Sequence, residues 1–146
     1  MEGTVPSTIK PTAIALVVCD NIYSEPGGKT ALVGLFNGIA SHKFPVKHPR
    51  MAVFASVTDL REGSTAKLEI VHAETDGVVV SAEGPFPEGY SPITVVDMNF
   101  IFNNIVFKEE GTYFVRFWAN EHLLMMRPVQ VNLIKKRGED KNASSE

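Results

Sequence analysis

The feature that most constrains this fold is an alternating pair of segments near the end of the sequence. Every second residue of the segment 112–119 is apolar, namely Tyr113, Val115, Phe117 and Ala119. Successive side chains of a β-strand point to opposite faces, so this set predicts one buried face. The segment 129–133 alternates in the same way after a short reversal at 120–122. The pattern predicts an antiparallel hairpin that packs one face against a core.

The start of this hairpin carries a glycine two residues before a tyrosine, Gly111 and Tyr113. This spacing is typical of the tyrosine corner of immunoglobulin-like sandwiches, in which the ring is buried and its hydroxyl bonds to the backbone just upstream. Glycine also adopts backbone angles that other residues avoid. We expect either such a corner at Tyr113 or, as the simpler alternative, a tyrosine buried in the core.

The rest of the chain shows short strand patterns separated by turn residues. The further predicted strands are 12–19, 29–39, 51–57, 66–72, 78–82 and 93–102. The segments 12–19 and 51–57 are apolar on both faces, which predicts strands that are central or covered on both sides. With no convincing helix or repeat, we predict an all-β fold of about eight strands. A two-layer antiparallel β-sandwich, immunoglobulin-like, is favoured, and a closed barrel is the alternative.

Length and composition predict a single domain. A chain of 146 residues with 44% hydrophobic residues is long enough to bury a core. We predict a flexible N-terminal arm at 1–11, a β-sandwich domain at 12–134 and a disordered, charged tail at 135–146.

Charge and cysteine content exclude several classes of function. The net charge is −3 with both signs interspersed, which argues against a nucleic-acid partner because such sites need a basic field. Cys19 is the single cysteine, so no intramolecular disulfide forms. The first twelve residues do not resemble a signal peptide, and the apolar run 13–19 is too short to cross a bilayer. We therefore expect a cytoplasmic protein without membrane insertion.

Several of these segments together resemble a family of uncharacterised bacterial proteins that carry a domain of unknown function. The resemblance is carried by CD (19–20), PGGKTALVGLF (26–36) with Ile39, EGTYFV (110–115) and PVQV (128–131). It covers about residues 12–134 and implies a β-sandwich. It implies no activity, cofactor or catalytic residue.

No motif predicts catalysis or a cofactor. Gly28-Lys29-Thr30 looks like the end of a phosphate-binding loop, but Tyr23 stands where that loop needs a glycine, and a strand rather than a helix follows. We interpret it as a turn. Ser56 and Cys19 lie on apolar strands without a partner base, and no Gly-x-Ser-x-Gly elbow occurs. We predict a protein that is not an enzyme and binds no cofactor.

The candidate metal ligands are too few and too scattered. Asp20, Asp59 and Asp76 lie at strand ends, but an up-and-down path brings only two of them to one end, whereas Ca²⁺ prefers six to eight oxygens. Capping of turns is the more typical role for them. The four histidines lack zinc-ligand spacing. We predict no metal site.

The remaining candidate site is the second face of the segment 112–119. Phe114, Arg116 and Trp118 share it, and tryptophan, arginine and aromatic side chains are typical of interface hot spots. The Arg116 guanidinium could also stack on Trp118. The alternative is that another segment, such as 84–92, covers this face. We predict a non-enzymatic binding or assembly module whose partner is another protein or a second copy of the chain.

A small-ligand module is the alternative function. Its ligand would be a sugar, a lipid or an anion held by loops. The candidate ligand-binding residues are Lys43, Lys47, His48 and Arg50 in the basic segment 42–50, and Phe86 and Tyr90 in the segment 84–92.

Overall fold

A computed structural model describes residues 10–135, in which there are nine strands and no helix. The strands are β1 (Thr12–Ser24), β2 (Thr30–Leu35), β3 (Gly38–Ser41), β4 (Val46–Thr58), β5 (Thr65–His72), β6 (Val78–Pro85), β7 (Val96–Phe107), β8 (Gly111–Ala119) and β9 (His122–Leu133). The predicted all-β fold is confirmed. The predictions for residues 1–9 and 136–146, an arm and a tail, lie outside the described residues.

The strands form two sheets that pack face to face. The four-stranded sheet has the order β2-β1-β4-β7, and the five-stranded sheet has the order β3-β9-β8-β5-β6. The doubly apolar strands β1 and β4 are the two central strands of their sheet, as their pattern predicts. All pairs are antiparallel except β3 with β9, which are parallel. The two-layer sandwich is confirmed, and its pairing departs from antiparallel at this one edge.

The predicted strand at 29–39 is two strands in different sheets, which is why the structure has nine strands rather than eight. The chain leaves the edge of β1 after Phe36, whose N–H still donates to the four-stranded sheet. From Asn37 onward it pairs with β9. Gly34 has a φ of +75°, and a Cβ there would lie 2.5 Å from Asp20. A side chain at this position would therefore collide with the side chain of Asp20.

Strands β1 and β4 extend well beyond their predicted ends. β1 continues past Asp20 to Ser24 because β2 pairs with its second half. β4 begins at Val46, inside the segment that was predicted as a loop, because residues 46–50 pair with the end of β7. The polar residues after Asp20 and in the segment 46–50 therefore lie on exposed parts of β1 and β4, and they do not mark the ends of these strands.

The core lies between the sheets and receives the predicted face of β8. The side chains of Tyr113, Val115, Phe117 and Ala119 are all buried. They pack with apolar residues of the opposite sheet and of β5, including Met51, Val53, Phe107, Leu68 and Ile70. Burying each such large side chain contributes about 1.5–3 kcal/mol, so the β8 face anchors the hairpin to both layers.

The corner before β8 is a tyrosine corner, as its spacing predicts. The Tyr113 hydroxyl donates a hydrogen bond to the backbone carbonyl of Glu109. Its ring packs edge-on against Phe107 and His72, with centroids 4.9 and 4.8 Å away. Gly111 has a φ of +140°, and a Cβ there would lie 2.9 Å from the His72 ring. Burial raises the pKa of the Tyr113 hydroxyl. Such a corner is typical of immunoglobulin-like sandwiches, and that finer assignment of the fold stays a prediction.

Candidate functional site

The outer face of the five-stranded sheet carries a cluster of aromatic and charged side chains at its centre. We call it the Trp118 patch. Its members are Lys67 and Glu69 from β5, Phe114, Arg116 and Trp118 from β8, and Met126 from β9. The strand register sets them side by side, because Trp118 opposes Lys67 and Arg116 lies between Glu69 and Met126. The three residues predicted from the alternation of β8 therefore share one face, as expected.

Glu69 holds the patch together. Its carboxylate is buried beneath its neighbours, where it accepts a 3.0 Å hydrogen bond from the indole N–H of Trp118. The Arg116 guanidinium and the Lys67 ammonium lie 3.7 and 3.6 Å from its oxygens. A buried carboxylate costs free energy unless such donors surround it. The sequence placed Glu69 on the outer face but did not indicate its burial.

Arg116 and Trp118 are each held from a second side. An Nη atom of Arg116 lies 3.4 Å from the Asp76 carboxylate, in the turn between β5 and β6. The Lys67 ammonium lies 5.5 Å from the centre of the Trp118 ring, within the range of a cation–π contact. The cation over the indole is thus Lys67, whereas the Arg116 guanidinium contacts Glu69 and Asp76.

The segment 84–92 does not cover the patch. After β6 it crosses to the four-stranded sheet, where the Pro92 carbonyl accepts a hydrogen bond from the Asp59 N–H. Phe86 turns into the core, with its ring centre 6.2 Å from that of Phe117. The patch stays half-buried by its own members. Met126, a member of the patch, is 44% exposed, and the neighbouring Leu123 is 38% exposed.

The residues of the alternative ligand site lie at opposite ends of the sandwich. Lys47, His48 and Arg50 are at the start of β4, whereas the segment 84–92 meets the other end of that strand at Thr58. At about 3.3 Å per residue, the two ends are about 35 Å apart. They therefore do not combine into one site.

Neither end offers a pocket that suits the expected ligands. The recess beside Phe86 and Tyr90 measures about 20 Å³, room for about one water molecule. At the other end, Arg50 donates to the Asn21 side chain at 2.7 Å. His48 lines a shallow recess of about 380 Å³ together with the Asp20 carboxylate, which would repel an anion.

The exposed Lys43 and Lys47 are not among the residues that line this recess. The basic segment 42–50 therefore does not converge on one ligand site.

Sequence reasoning missed a further recess. It is a cleft of about 470 Å³ between the edges of β6 and β7, with His72 and Tyr113 among its lining residues. The two strands are distant in sequence and belong to different sheets, so no local pattern indicates that they meet. We refer to it below as the β6–β7 cleft.

The outer face of the four-stranded sheet is also apolar, but it is less specific. Its exposed side chains include Leu35, Val33 and Ile101, which the register with β1 and β4 sets on one face. Single exposed apolar side chains are common on protein surfaces. The Trp118 patch differs from this face because hydrogen bonds and ion pairs fix its aromatic and cationic groups.

Two side chains were considered as nucleophiles, Ser56 and Cys19. The Ser56 hydroxyl donates a 2.8 Å hydrogen bond to the Asp97 carboxylate, so its expected lack of a partner base is wrong. Cys19 is fully buried, and burial raises the pKa of its thiol, which disfavours the reactive thiolate. Gly28-Lys29-Thr30 ends a turn in which the Gly28 N–H donates to the Glu25 carbonyl at 3.0 Å, and it leads into β2. Within residues 10–135, no three His, Cys, Asp or Glu side chains group closely enough to share a metal ion.

The comparison with protein families places the whole sandwich in one family. A model described as a family of unknown function (DUF6941) matches residues 14–132, from β1 to β9. The chain belongs to that family. The resemblance to an uncharacterised family is thereby confirmed, and the bacterial origin of DUF6941 proteins stays a prediction here. A search of curated proteins finds no match. Across the described part of the chain, no helix has the length and apolarity needed to span a membrane.

Proposed function

We propose that this chain is a protein-binding module of the cytoplasm that performs no chemistry of its own. The observation that carries the proposal is the Trp118 patch, in which Glu69 fixes Trp118 next to the exposed Met126. The partner is another protein or a second copy of the chain. The cytoplasmic setting rests on Cys19, a buried thiol in a chain with no second cysteine.

The composition of the patch suits a protein interface. Trp, Met and Arg are enriched in the centres of such interfaces, and a few residues of these types contribute most of the binding energy. An exposed side chain that must be ordered on binding costs about 0.5–1.5 kcal/mol. Trp118 and Arg116 are already ordered by Glu69, so that cost is smaller here.

The charges of the patch are paired with one another and can therefore be buried beneath a partner. Lys67 and Arg116 lie beside Glu69, and Arg116 also reaches Asp76. An interface that covers these groups therefore buries paired charges, whereas a single buried charge would oppose binding by several kcal/mol. At the edge of such an interface, the positive charge of Lys67 and the negative charge of Asp76 favour partners that carry the opposite charges at the facing positions.

Site-specific photo-crosslinking in the native host tests the proposal. A photoreactive amino acid replaces Met126, which is exposed in the patch, and the control variant carries it at Lys29, in the exposed turn of the other sheet. We expect a cross-linked product from Met126 that is absent from Lys29 and is lost when Trp118→Ala is added. A product of twice the chain mass identifies a second copy, and any other mass identifies a different protein. No product from Met126 would reject the proposal.

A further inference from the structure

The β6–β7 cleft lies between two sheet edges that have no partner strand within residues 10–135. β6 pairs with β5 alone, and β7 pairs with β4 alone. The cleft is lined by valines 78–80 of β6 and by Ile105 and Val106 of β7. Each edge strand offers main-chain N–H and C=O groups on its open side. The cleft therefore combines apolar side chains with main-chain donors and acceptors.

The hydrogen-bond pattern shows which groups β6 leaves open. The Phe86 N–H donates to the Ser64 carbonyl at 3.0 Å. Bonded pairs alternate along an antiparallel ladder, so the register places the main-chain groups of Val80 and Ala82 toward β5. Those of Ser81 then point to the open edge. The main-chain groups of Pro85 point to the same open edge, where its missing N–H removes no bond to β5.

The floor of the cleft offers no comparable polar groups. The Tyr113 hydroxyl is already bonded to the Glu109 carbonyl. The Glu74 N–H donates to Nδ1 of His72 at 3.2 Å, and the other ring nitrogen faces the Glu110 carbonyl. A sugar or nucleotide would find these donors and acceptors occupied.

The charges of the cleft do not select a charged ligand. Its lining contains one cation and one anion, Lys108 and Glu109. The polar groups left to a ligand are the main-chain edges, the side-chain amides of Asn103 and Asn104, and the hydroxyl of Thr75. Main-chain edges recognise another extended backbone.

The chain's own C-terminus does not fit this cleft. The Leu133 N–H donates to the Glu110 carboxylate at 3.0 Å, so the chain leaves β9 near the corner beside the cleft. The segment 136–146 holds no apolar residue larger than alanine. A valine-lined cleft is better filled by a separate chain with apolar side chains.

We infer that the β6–β7 cleft binds an extended peptide of a partner protein, added as a strand along β6. Such a peptide places every second side chain between the sheets, against Val80 and Ile105, and pairs its backbone with the open edge at Ser81. Alternation of apolar and polar residues is the expected sequence requirement. This site lies apart from the Trp118 patch, and the inference does not depend on it.

Peptide selection followed by edge variants tests the inference. Random dodecapeptides displayed on phage are selected on the immobilised chain, and an enriched peptide is titrated by fluorescence anisotropy. Ser81→Pro removes a main-chain donor at the open edge without removing a bond to β5, and Ser81→Ala is the matched control. We expect enriched sequences with alternating apolar residues, equal Kd for wild type and Ser81→Ala, and about tenfold weaker binding to Ser81→Pro.

Two further measurements keep the test decisive. Val78 is 60% exposed at the cleft, so Val78→Arg should fold and should also weaken binding if Ser81→Pro is too unstable to use. Trp118→Ala should leave the Kd for the peptide unchanged. This result would show that the peptide binds the β6–β7 cleft independently of the Trp118 patch. The inference is overturned if no alternating sequence is enriched, or if the peptide binds Ser81→Pro as tightly as Ser81→Ala. Displacement of the peptide by decanoate or by a synthetic 134–146 peptide would overturn it as well.

Discussion

Trp118 and Glu69 lie diagonally across two neighbouring strands, and the indole N–H of one donates to the carboxylate of the other at 3.0 Å. Their direct cross-strand partners are Lys67 and Arg116. Both cations lie beside the Glu69 carboxylate, and the Lys67 ammonium also lies over the Trp118 ring. Diagonal neighbours on a sheet are close enough for long side chains to meet. The Glu69 carboxylate therefore orders the two side chains on which the proposed interface depends.

Replacing Glu69 should cost stability and loosen the indole. Glu69→Gln keeps an acceptor for Trp118 but removes the buried charge that faces Arg116 and Lys67, so we expect a loss of about 1–2 kcal/mol in the free energy of unfolding. Urea titration measures it. Because Trp118 is the single tryptophan, acrylamide quenching should show a more accessible indole.

Glu83→Gln is the matched control for Glu69→Gln. Glu83 is also on the outer face, opposite Lys67 on β6, but it is exposed. We expect a change within about 0.5 kcal/mol, as for most surface substitutions. Equal losses in the two variants would contradict the role given to the Glu69 carboxylate.

The tyrosine corner predicts a dependence of stability on alkaline pH. Burial raises the pKa of Tyr113 in the folded chain, whereas in the unfolded chain the hydroxyl titrates near its usual value of about 10. The stabilisation contributed by the protonated Tyr113 hydroxyl is fully present below about pH 10. It is lost as the pH rises through the pKa that Tyr113 has in the folded chain. Tyr113→Phe removes this titration and also a hydrogen bond that contributes about 1 kcal/mol.

Urea titrations at pH 7, 10 and 11 measure that dependence. Wild type should be more stable than Tyr113→Phe at pH 7, and the difference should narrow above pH 10. Tyr90→Phe, at an exposed tyrosine, should follow wild type at every pH. A difference between wild type and Tyr113→Phe that stays constant from pH 7 to pH 11 would refute the buried, protonated hydroxyl.

Gly111 should not accept a side chain without a loss of stability. Its φ of +140° is strained for any other residue, and a Cβ would press on the His72 ring. We expect Gly111→Ala to lower the free energy of unfolding by about 3 kcal/mol. Gly84→Ala is the control, because its φ is ordinary and a Cβ there meets nothing within 4 Å. Similar melting curves for the two variants would disprove the account of the corner.

The parts of this fold that follow from local pattern were predictable, and the parts that need distant pairing were not. The alternation of β8 was enough to place Tyr113 in the core and Trp118 outside, because a strand offers only two faces. The break after Phe36 was not predictable, since its cause is the pairing of Gly38 with Gln130, far along the chain.

The same distinction explains the sites. Phe114, Arg116 and Trp118 were found from one strand, but Glu69 became part of the patch only through the pairing of β5 with β8. The β6–β7 cleft depends on how two sheets close, for which the sequence carries no periodic signal. Phe86 was expected at a ligand site because an aromatic ring in the loop segment 84–92 could stack on a ligand. In the structure Phe86 is buried, because its ring packs against Phe117 at one end of the core.

The affinity of the partner captured at Met126 for the Trp118→Ala variant tests the central claim most directly. A hot-spot tryptophan contributes at least about 2 kcal/mol, which is about a thirtyfold change in Kd. Leu35→Ala, on the exposed outer face of the other sheet, is the control. We predict at least thirtyfold weaker binding for Trp118→Ala and a Kd within threefold of wild type for Leu35→Ala. Binding of Trp118→Ala within threefold of wild type would contradict the assignment of the interface to this patch.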